Sequence, residues 1–413
     1  MTNQKLGVNI LKIIYALRRQ SVKMKKFISV LLTIVLAMSC LTACGGGSNA
    51  GGNESSNSGE AVFKIGSIGP LTGGAGAYGQ AVKNGAQIAV DEINAAGGIN
   101  GVKIEFRMED DEHDAEKSVN AYNILKDWGM QALVGTVTSA PCIAVEAEAS
   151  NDNVFLITPS GTATECISGD NAFRLCFSDP TQGTKSAEYI GMNGLGSKVA
   201  IIYDSSDPYS AGICESFKAE AGNHGIEVVA TEAFTADSKT DFKVQLQKSK
   251  DSGADLLFLP IYYQEASLIL QQAKEIGFAP TVFGCDGLDG ILGVENFDVT
   301  LAEGVMLLTP FAADAADEAT QKFVATYAER HNEVPMQFAA DAYDAVYAVK
   351  AAIEKAGATA DMSASDLCDA MKVAMTEITV EGLTGTITWD ASGEPNKEPK
   401  AVVINNGEYK SMQ

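Results

Sequence analysis

Basic side chains are scarce in this sequence. It has 30 lysines and arginines against 53 aspartates and glutamates, a net charge of −23 over 413 residues. Seven of the bases (Lys5, Lys12, Arg18, Arg19, Lys23, Lys25 and Lys26) fall within the first 43 residues, which hold no acid. The remaining 370 residues therefore carry 23 bases and 53 acids, a net charge of −30. A body that acidic repels phosphate backbones, which excludes a nucleic-acid partner. Three histidines, scattered at 113, 224 and 331, leave little material for a histidine-rich metal centre. The chain has no P-loop, no G-x-S-x-G elbow, no H-E-x-x-H and no C-x-x-C, which removes the common sequence signals for nucleotide hydrolysis, serine hydrolysis, zinc proteolysis and thiol redox catalysis. Beyond the N-terminal segment no run reaches 18 apolar residues, so the body has no helical membrane span. At 46% hydrophobic and 20% charged it is an ordinary globular mix, long enough for two domains.

What is present begins with an export segment, residues 1–43. From Met24 the chain reads MKKFISVLLTIVLAMSCLTAC. Lys25 and Lys26 form a positive n-region, and an apolar stretch of about a dozen residues follows, in the range of a secretory signal. Leu41-Thr42-Ala43-Cys44 resembles a lipobox, which implies cleavage before Cys44 and a diacylglycerol on its thiol. A membrane anchor with a chance cysteine is the alternative. Met24 reads as the start; a long n-region covering 1–23 is the other option. Residues 45–60, GGGSNAGGNESSNSGE, have the composition of a flexible tether.

The body reads as repeated strand–helix units. Strands are predicted at 62–68, 102–108, 132–135 and 154–157, with helices at 79–96, 115–128 and from 141. In the first helix Val82, Ala86, Ala89 and Ile93 share one face, and Gly97-Gly98 ends it. A second series starts near 180, with strands at 198–203, 227–231, 255–259 and 281–284 and helices at 209–223, 241–251 and 264–276. A strand at 305–308, helices near 316–331, 337–356 and 363–375, and strands at 384–389 and 401–404 complete the chain. Alternation of this kind predicts an α/β fold with parallel sheets in two lobes. In such sheets ligands sit beyond the carboxyl ends of the strands. The loops there offer hydroxyls in the first series (Thr138-Ser139, Thr158-Pro159-Ser160-Gly161-Thr162) and tyrosines and a carboxylate in the second (Tyr209, Tyr262-Tyr263, Asp286-Gly287). Hydroxyls and free N–H groups suit a ligand carboxylate; an acid suits an ammonium; tyrosine rings suit a small organic side chain.

The body, residues 61–413, resembles the leucine/isoleucine/valine-binding protein family, amino-acid receptors of ABC importers. The resemblance is carried by Ile65-Gly66-Ser67-Ile68-Gly69-Pro70-Leu71-Thr72-Gly73, by Asn84-Gly85-Ala86 through Asp91-Glu92-Ile93-Asn94-Ala95-Ala96-Gly97-Gly98-Ile99, by residues 158–162 and by Ala273-Lys274-Glu275-Ile276-Gly277. It implies a type I periplasmic binding protein fold: two Rossmann-like lobes joined by a three-crossing hinge near 178–181, 309–312 and 380–384. Lobe 1 would comprise 61–178 and 311–381, and lobe 2 would comprise 179–310 and 382–413. It also implies roles. Ser139 and Thr162 would hold the ligand α-carboxylate, the Ser160 carbonyl and Asp286 its ammonium, and Tyr78, Tyr209 and Tyr262 its side chain, with Phe338 as a further wall. Cys44 would be the lipidation site. The function implied is that of an extracytoplasmic, lipid-anchored, monomeric binding protein, not an enzyme, that delivers an amino acid to ABC permease subunits without cofactor or metal. An amide, urea or aromatic acid, taken up or sensed, is the alternative ligand. An extracellular hydrolase is the competing class.

Two departures stand against the family pattern. Asp286 is one methylene shorter than the family's glutamate, and His113 and Thr138 occupy the positions of its amino-lobe disulfide. Tyr262 and Tyr263 are adjacent, so one is expected to face the cleft and the other to pack. Gly74-Ala75-Gly76-Ala77-Tyr78-Gly79 is formally G-x-G-x-x-G, but five residues separate it from the strand, too far for a dinucleotide turn. The run Glu109–Asp114 reads as a solvated strand end, with a divalent cation as the alternative. Cys142, Cys166, Cys176, Cys214, Cys285 and Cys368 are compatible with disulfides, Cys166–Cys176 being closest in sequence, and equally with free buried thiols.

Overall fold

The computed structural model describes residues 61–412. The export segment, Cys44 and the tether lie outside the described residues. The first sheet contains β1 (Val62–Gly69), β2 (Lys103–Asp110), β3 (Ala132–Val134), β4 (Phe155–Thr158) and β5 (Ala172–Arg174) in the order β2-β1-β3-β4-β5, all parallel. Its inner strands are apolar on both faces because helices cover both. Phe63, Ile65, Val134 and Ile157 turn to one layer, and Ile68, Leu133 and Leu156 to the other. The helices between these strands are α1 (Gly76–Ala95), α2 (Ala115–Trp128) and α3 (Ser139–Asp152). Asp114 caps α2 through Lys117 N, and Gly129 ends it in the left-handed conformation.

The second sheet is built by α4 (Asp179–Met192), β6 (Lys198–Asp204), α5 (Pro208–Ala221), β7 (Glu227–Phe234), α6 (Lys243–Asp251), β8 (Leu256–Leu259), α7 (Tyr263–Glu275), β9 (Thr281–Gly284) and β10 (Met306–Thr309). Then come α8 (Glu318–His331), α9 (Gln337–Ala356), α10 (Ala364–Met375), the hairpin β11 (Val380–Gly382) and β12 (Gly385–Ile387), and last β13 (Lys400–Asn405) and β14 (Glu408–Ser411). The strand order is β14-β13-β10-β9-β8-β6-β7, parallel from β6 to β10 and antiparallel at β13 and β14. The α/β fold with two parallel-sheet lobes is as expected. Helix α9 returns to the first lobe and packs on α1 so closely that a Cβ on Gly85 would strike the Ala339 carbonyl. That approach fixes the first turn of α9, where Phe338 stands.

Several elements differ from the sequence reading. β5, α4 and β14 were not anticipated. The single strand expected over 384–389 is cut short: β12 ends at Ile387 and pairs with β11, while Trp389 turns inward to donate its Nε1–H to the Arg174 carbonyl at 2.7 Å. The ladder ends where β11 begins, at Val380 opposite Ile387, and the Asp390–Gly393 turn that follows, with Gly393 at φ 82°, folds the chain back so that Trp389 bridges Pro395. Residues 389–394 thus bond to the edge of the first sheet, and 400–405 join the second.

Candidate functional site

Six strand ends and the start of α9 converge on one cavity. Tyr78 follows β1; Val137, Thr138 and Ser139 follow β3; Ser160 follows β4; Tyr209 follows β6; Tyr262 follows β8; Asp286 and Gly287 follow β9; Phe338 opens α9. Six of the seven residues singled out as ligand contacts line it: Tyr78, Ser139, Ser160, Tyr209, Tyr262 and Asp286. Thr162 does not. It is fully buried behind Ser139, with its Oγ1 3.5 Å from Ser139 Oγ.

Local folding explains each placement. Gly79 lets α1 approach the β1 loop, since a Cβ there would collide with the Pro70 carbonyl, and this seats Tyr78 in the first turn. Ser139 starts α3, where its Oγ accepts the N–H groups of Thr162 (3.3 Å) and Ala163 (3.2 Å). Ser160 sends its hydroxyl to the Val137 carbonyl at 2.7 Å and so ties the β3 and β4 loops together. Asp207 caps α5, followed by Pro208 at the first position, which turns Tyr209 into the cavity.

The opposite wall is acidic. Tyr209 Oη donates to Asp286 Oδ1 at 2.8 Å and accepts Gly287 N–H at 3.0 Å. Burial pushes the Asp286 carboxyl up to about 6, while bonds from Tyr209, Gln182 and the Gly287 backbone pull it down. Asp207 is raised to about 7, first by burial and then by the charge of Asp204. Aromatic rings close the sides. Tyr262 stacks on Tyr209 with centroids 4.9 Å apart, and Phe338 tilts onto Tyr78 at 4.3 Å. Burial holds the phenols of Tyr78, Tyr209 and Tyr262 protonated, well above the ordinary tyrosine range.

The cleft is shut. Tyr78, Ser139 and Asp286 are 0%, 1% and 4% exposed. Tyr78, from the first sheet's side, donates to the Gly287 carbonyl at 2.5 Å and accepts Tyr263 N–H at 3.3 Å, both on the second sheet's side. Of the adjacent tyrosines, Tyr262 lines the cavity and Tyr263 packs, its hydroxyl accepting Ala77 N–H at 3.3 Å. The arrangement offers a hydroxyl on one wall, a carboxylate on the other and apolar rings between.

Sequence reasoning assigned no ligand role to Val137, Thr138 or Gly287, although Thr138 and Gly287 stand in loops that it named. His113 and Thr138 are joined by a 2.8 Å contact between Nδ1 and Oγ1, and the imidazole edge meets Tyr262 at 5.5 Å. Burial and then Lys239 push the His113 imidazole down to about 4, so it is neutral at ordinary pH. The acidic run is spent on its own turn. Glu109 pairs with Arg107, Asp110 accepts Leu71 N–H and the Thr72 hydroxyl, Asp111 accepts His113 N–H, and Asp114 caps α2. Among the described residues no cluster of three or more metal-ligating side chains occurs. Also among them, no helix is long and apolar enough to cross a membrane. All six body cysteines are free and buried.

The periplasmic binding protein family model matches residues 62–406. A Leu/Ile/Val-binding protein homologue of Brucella melitensis is 32% identical over 81% of this chain and 89% of its own. A Leu/Ile/Val-binding protein of Rhizobium johnstonii is 35% identical over 74% of this chain and 82% of its own. Among solved structures, the branched-chain amino acid transporter substrate-binding protein LivJ of Streptococcus pneumoniae, in complex with isoleucine, superposes with a TM-score of 0.76. It is 31% identical, and the match covers 85% of this chain and all of that one.

Proposed function

The chain belongs to the periplasmic binding protein family, with Leu/Ile/Val-binding proteins among its relatives, and from that premise we propose that it captures a branched-chain or related amino acid for an ABC importer. Its relatives are binding proteins, and it is a binding protein rather than an enzyme. One observation carries the ligand class: the Ser139 hydroxyl and the buried Asp286 carboxylate stand on opposite walls of a single cavity sided by tyrosines. A zwitterion has a carboxylate for the first and an ammonium for the second.

The Ser139 hydroxyl would hold the carboxylate, backed by the Thr162 and Ala163 N–H groups that it accepts. Thr162 serves from behind, through its backbone. Asp286 and the Ser160 carbonyl would take the ammonium, and Tyr78, Tyr209, Tyr262 and Phe338 the side chain. Lobe 1 (61–178, 311–381 and the 382–394 segment, which bonds to α9 and to the edge of the first sheet) and lobe 2 (179–310 and 400–413) would close by rotation about the three crossings, the third lying after residue 394 rather than at 380–384, with ligand contacts to both favouring the closed state. The export segment and Cys44 would leave the mature protein lipid-anchored outside the cell, its tether letting the body reach the permease.

Isothermal titration against the twenty standard amino acids tests the reading. Binding of isoleucine, leucine or valine is expected, with Ser139→Ala and Asp286→Ala each weakening it by about ten-fold or more. Silence toward all twenty would remove the amino-acid assignment. Benzoate binding that is indifferent to Asp286→Ala would assign an aromatic acid instead. Metabolic labelling with palmitate, lost in Cys44→Ala, tests the anchor.

A further inference from the structure

Behind the Ser139 hydroxyl lies a buried cation. Arg174, the last residue of β5, is 0% exposed. Its Nη1 donates to the carbonyls of Gly161 (3.3 Å) and Thr162 (2.5 Å), and its Nη2 to those of Ala163 (3.0 Å) and Thr164 (3.4 Å). Two of these peptide units also touch Ser139. The 161–162 peptide presents its oxygen to Arg174 and its N–H, that of Thr162, to Ser139 Oγ. The 162–163 peptide does the same through Thr162 O and Ala163 N–H. Two consecutive peptide groups therefore stand end-on between a guanidinium and one hydroxyl oxygen.

Groups bonded in series polarise one another, and a charge at the head of the series strengthens every member. A serine hydroxyl has one proton and two lone pairs. Ser139 Oγ already accepts two N–H bonds, so what it has left to offer is its proton. The neighbouring Thr162 Oγ1 is distant at 3.5 Å, and Ser139 lines the cavity.

We propose that Arg174 is a positioning residue for anion capture. Acting through the 161–162 and 162–163 peptides, it commits Ser139 to donating its proton into the cleft, toward a ligand carboxylate. This deepens the amino-acid reading above and rests on it. Glu394 tunes the effect. Its Oε2 lies 3.2 Å from Arg174 Nε, close enough for an ion pair but off the line of a hydrogen bond. The same segment bonds the Arg174 backbone at both ends: Gly393 O accepts its N–H at 3.1 Å, and Trp389 Nε1 donates to its carbonyl. The Glu394 charge opposes the field that Arg174 projects toward Ser139.

A double-variant cycle on the full-length chain separates this role from a structural one. The probe is L-isoleucine first, or whichever of the twenty amino acids the unmodified chain binds tightest, and the readout is titration calorimetry. Arg174→Lys keeps a charge but loses the planar fork that spans four carbonyls, and is expected to weaken binding about ten-fold. In a Ser139→Ala background the same change is expected to cost less than about two-fold, because the hydroxyl it acts through is gone. Equal losses in both backgrounds would make Arg174 a scaffold residue and overturn the proposal. Glu394→Gln leaves every bond to the loop in place. It is expected to tighten binding about two-fold with Ser139 present and to do nothing without it. No tightening, or tightening that persists in Ser139→Ala, also overturns it. Should Arg174→Lys lack a cooperative thermal transition, the Glu394 arm alone decides. An unmodified chain that binds none of the twenty amino acids takes down the reading and this inference together; a bound amino acid with an additive cycle takes down the inference alone.

Discussion

Asp286 is a carboxylate kept out of water, its acidity set by the balance between burial and three hydrogen bonds that leaves it near 6 instead of 3.8. A ligand ammonium favours the ionised form, so binding and ionisation are linked. The sign follows. Below pH 6 the group must lose a proton before it can pair, so affinity is expected to rise with pH between 5 and 7 and to level off above, by up to about ten-fold per unit at the acid end. Titrations of isoleucine from pH 5 to 8 check this, and Asp286→Asn should flatten the profile while weakening binding. Without ligand the linkage runs the other way. A raised carboxyl pKa means that the native state holds more protons between 3.8 and 6, so ligand-free stability declines as pH rises through that window. These residues were legible in the sequence because each sits at a strand end beside a glycine, a proline or a helix start. Arg174 was not. In sequence it is one more charge near a strand, and its burial depends on four carbonyls and on Glu394, 220 positions further on.

At the scale of elements, the β11–β12 hairpin is held by one side chain. Asp344 on α9 accepts Leu383 N–H (2.8 Å), Thr384 N–H (2.9 Å) and the Thr384 hydroxyl (2.6 Å), and Gly382 is so near that a Cβ would overlap its carboxylate. Lys397 Nζ donates to Thr384 Oγ1 at 2.5 Å and lies 3.6 Å from the buried Asp341. Asp344→Ala would leave two buried N–H groups unpaired and take from the Thr384 hydroxyl, which still accepts from Lys397, the acceptor of its proton; this costs about 3 kcal/mol or more. Urea unfolding should show a lower midpoint at unchanged slope. An unchanged midpoint would mean that water replaces the carboxylate there. The strand–helix alternation of the two lobes was readable because parallel strands buried on both faces are continuous apolar runs. The hairpin was not, because its three-residue strands take their shape from a polar contact across 40 positions. β5 escaped for the same reason, being three residues whose pairing is supplied by β4.

For the whole molecule, closure depends on contacts that span the cleft, and Tyr78 makes two of them with a single hydroxyl. Phenylalanine at 78 would keep the ring tilted onto Phe338 and remove both bonds, leaving the Gly287 carbonyl and Tyr263 N–H buried without their partner in the closed state. Opening exposes both groups to water, so the loss falls on the closed state alone. A penalty of about 1–2 kcal/mol shifts the open–closed balance five- to thirty-fold. Small-angle scattering of Tyr78→Phe is therefore expected to give a larger radius of gyration than the unmodified chain without ligand. Saturating isoleucine should bring the two together, because the ligand supplies its own contacts to both lobes and affinity falls only by the closure penalty. A variant that scatters identically with and without ligand, yet binds more weakly, would place Tyr78 in the side-chain wall alone and assign closure to other contacts.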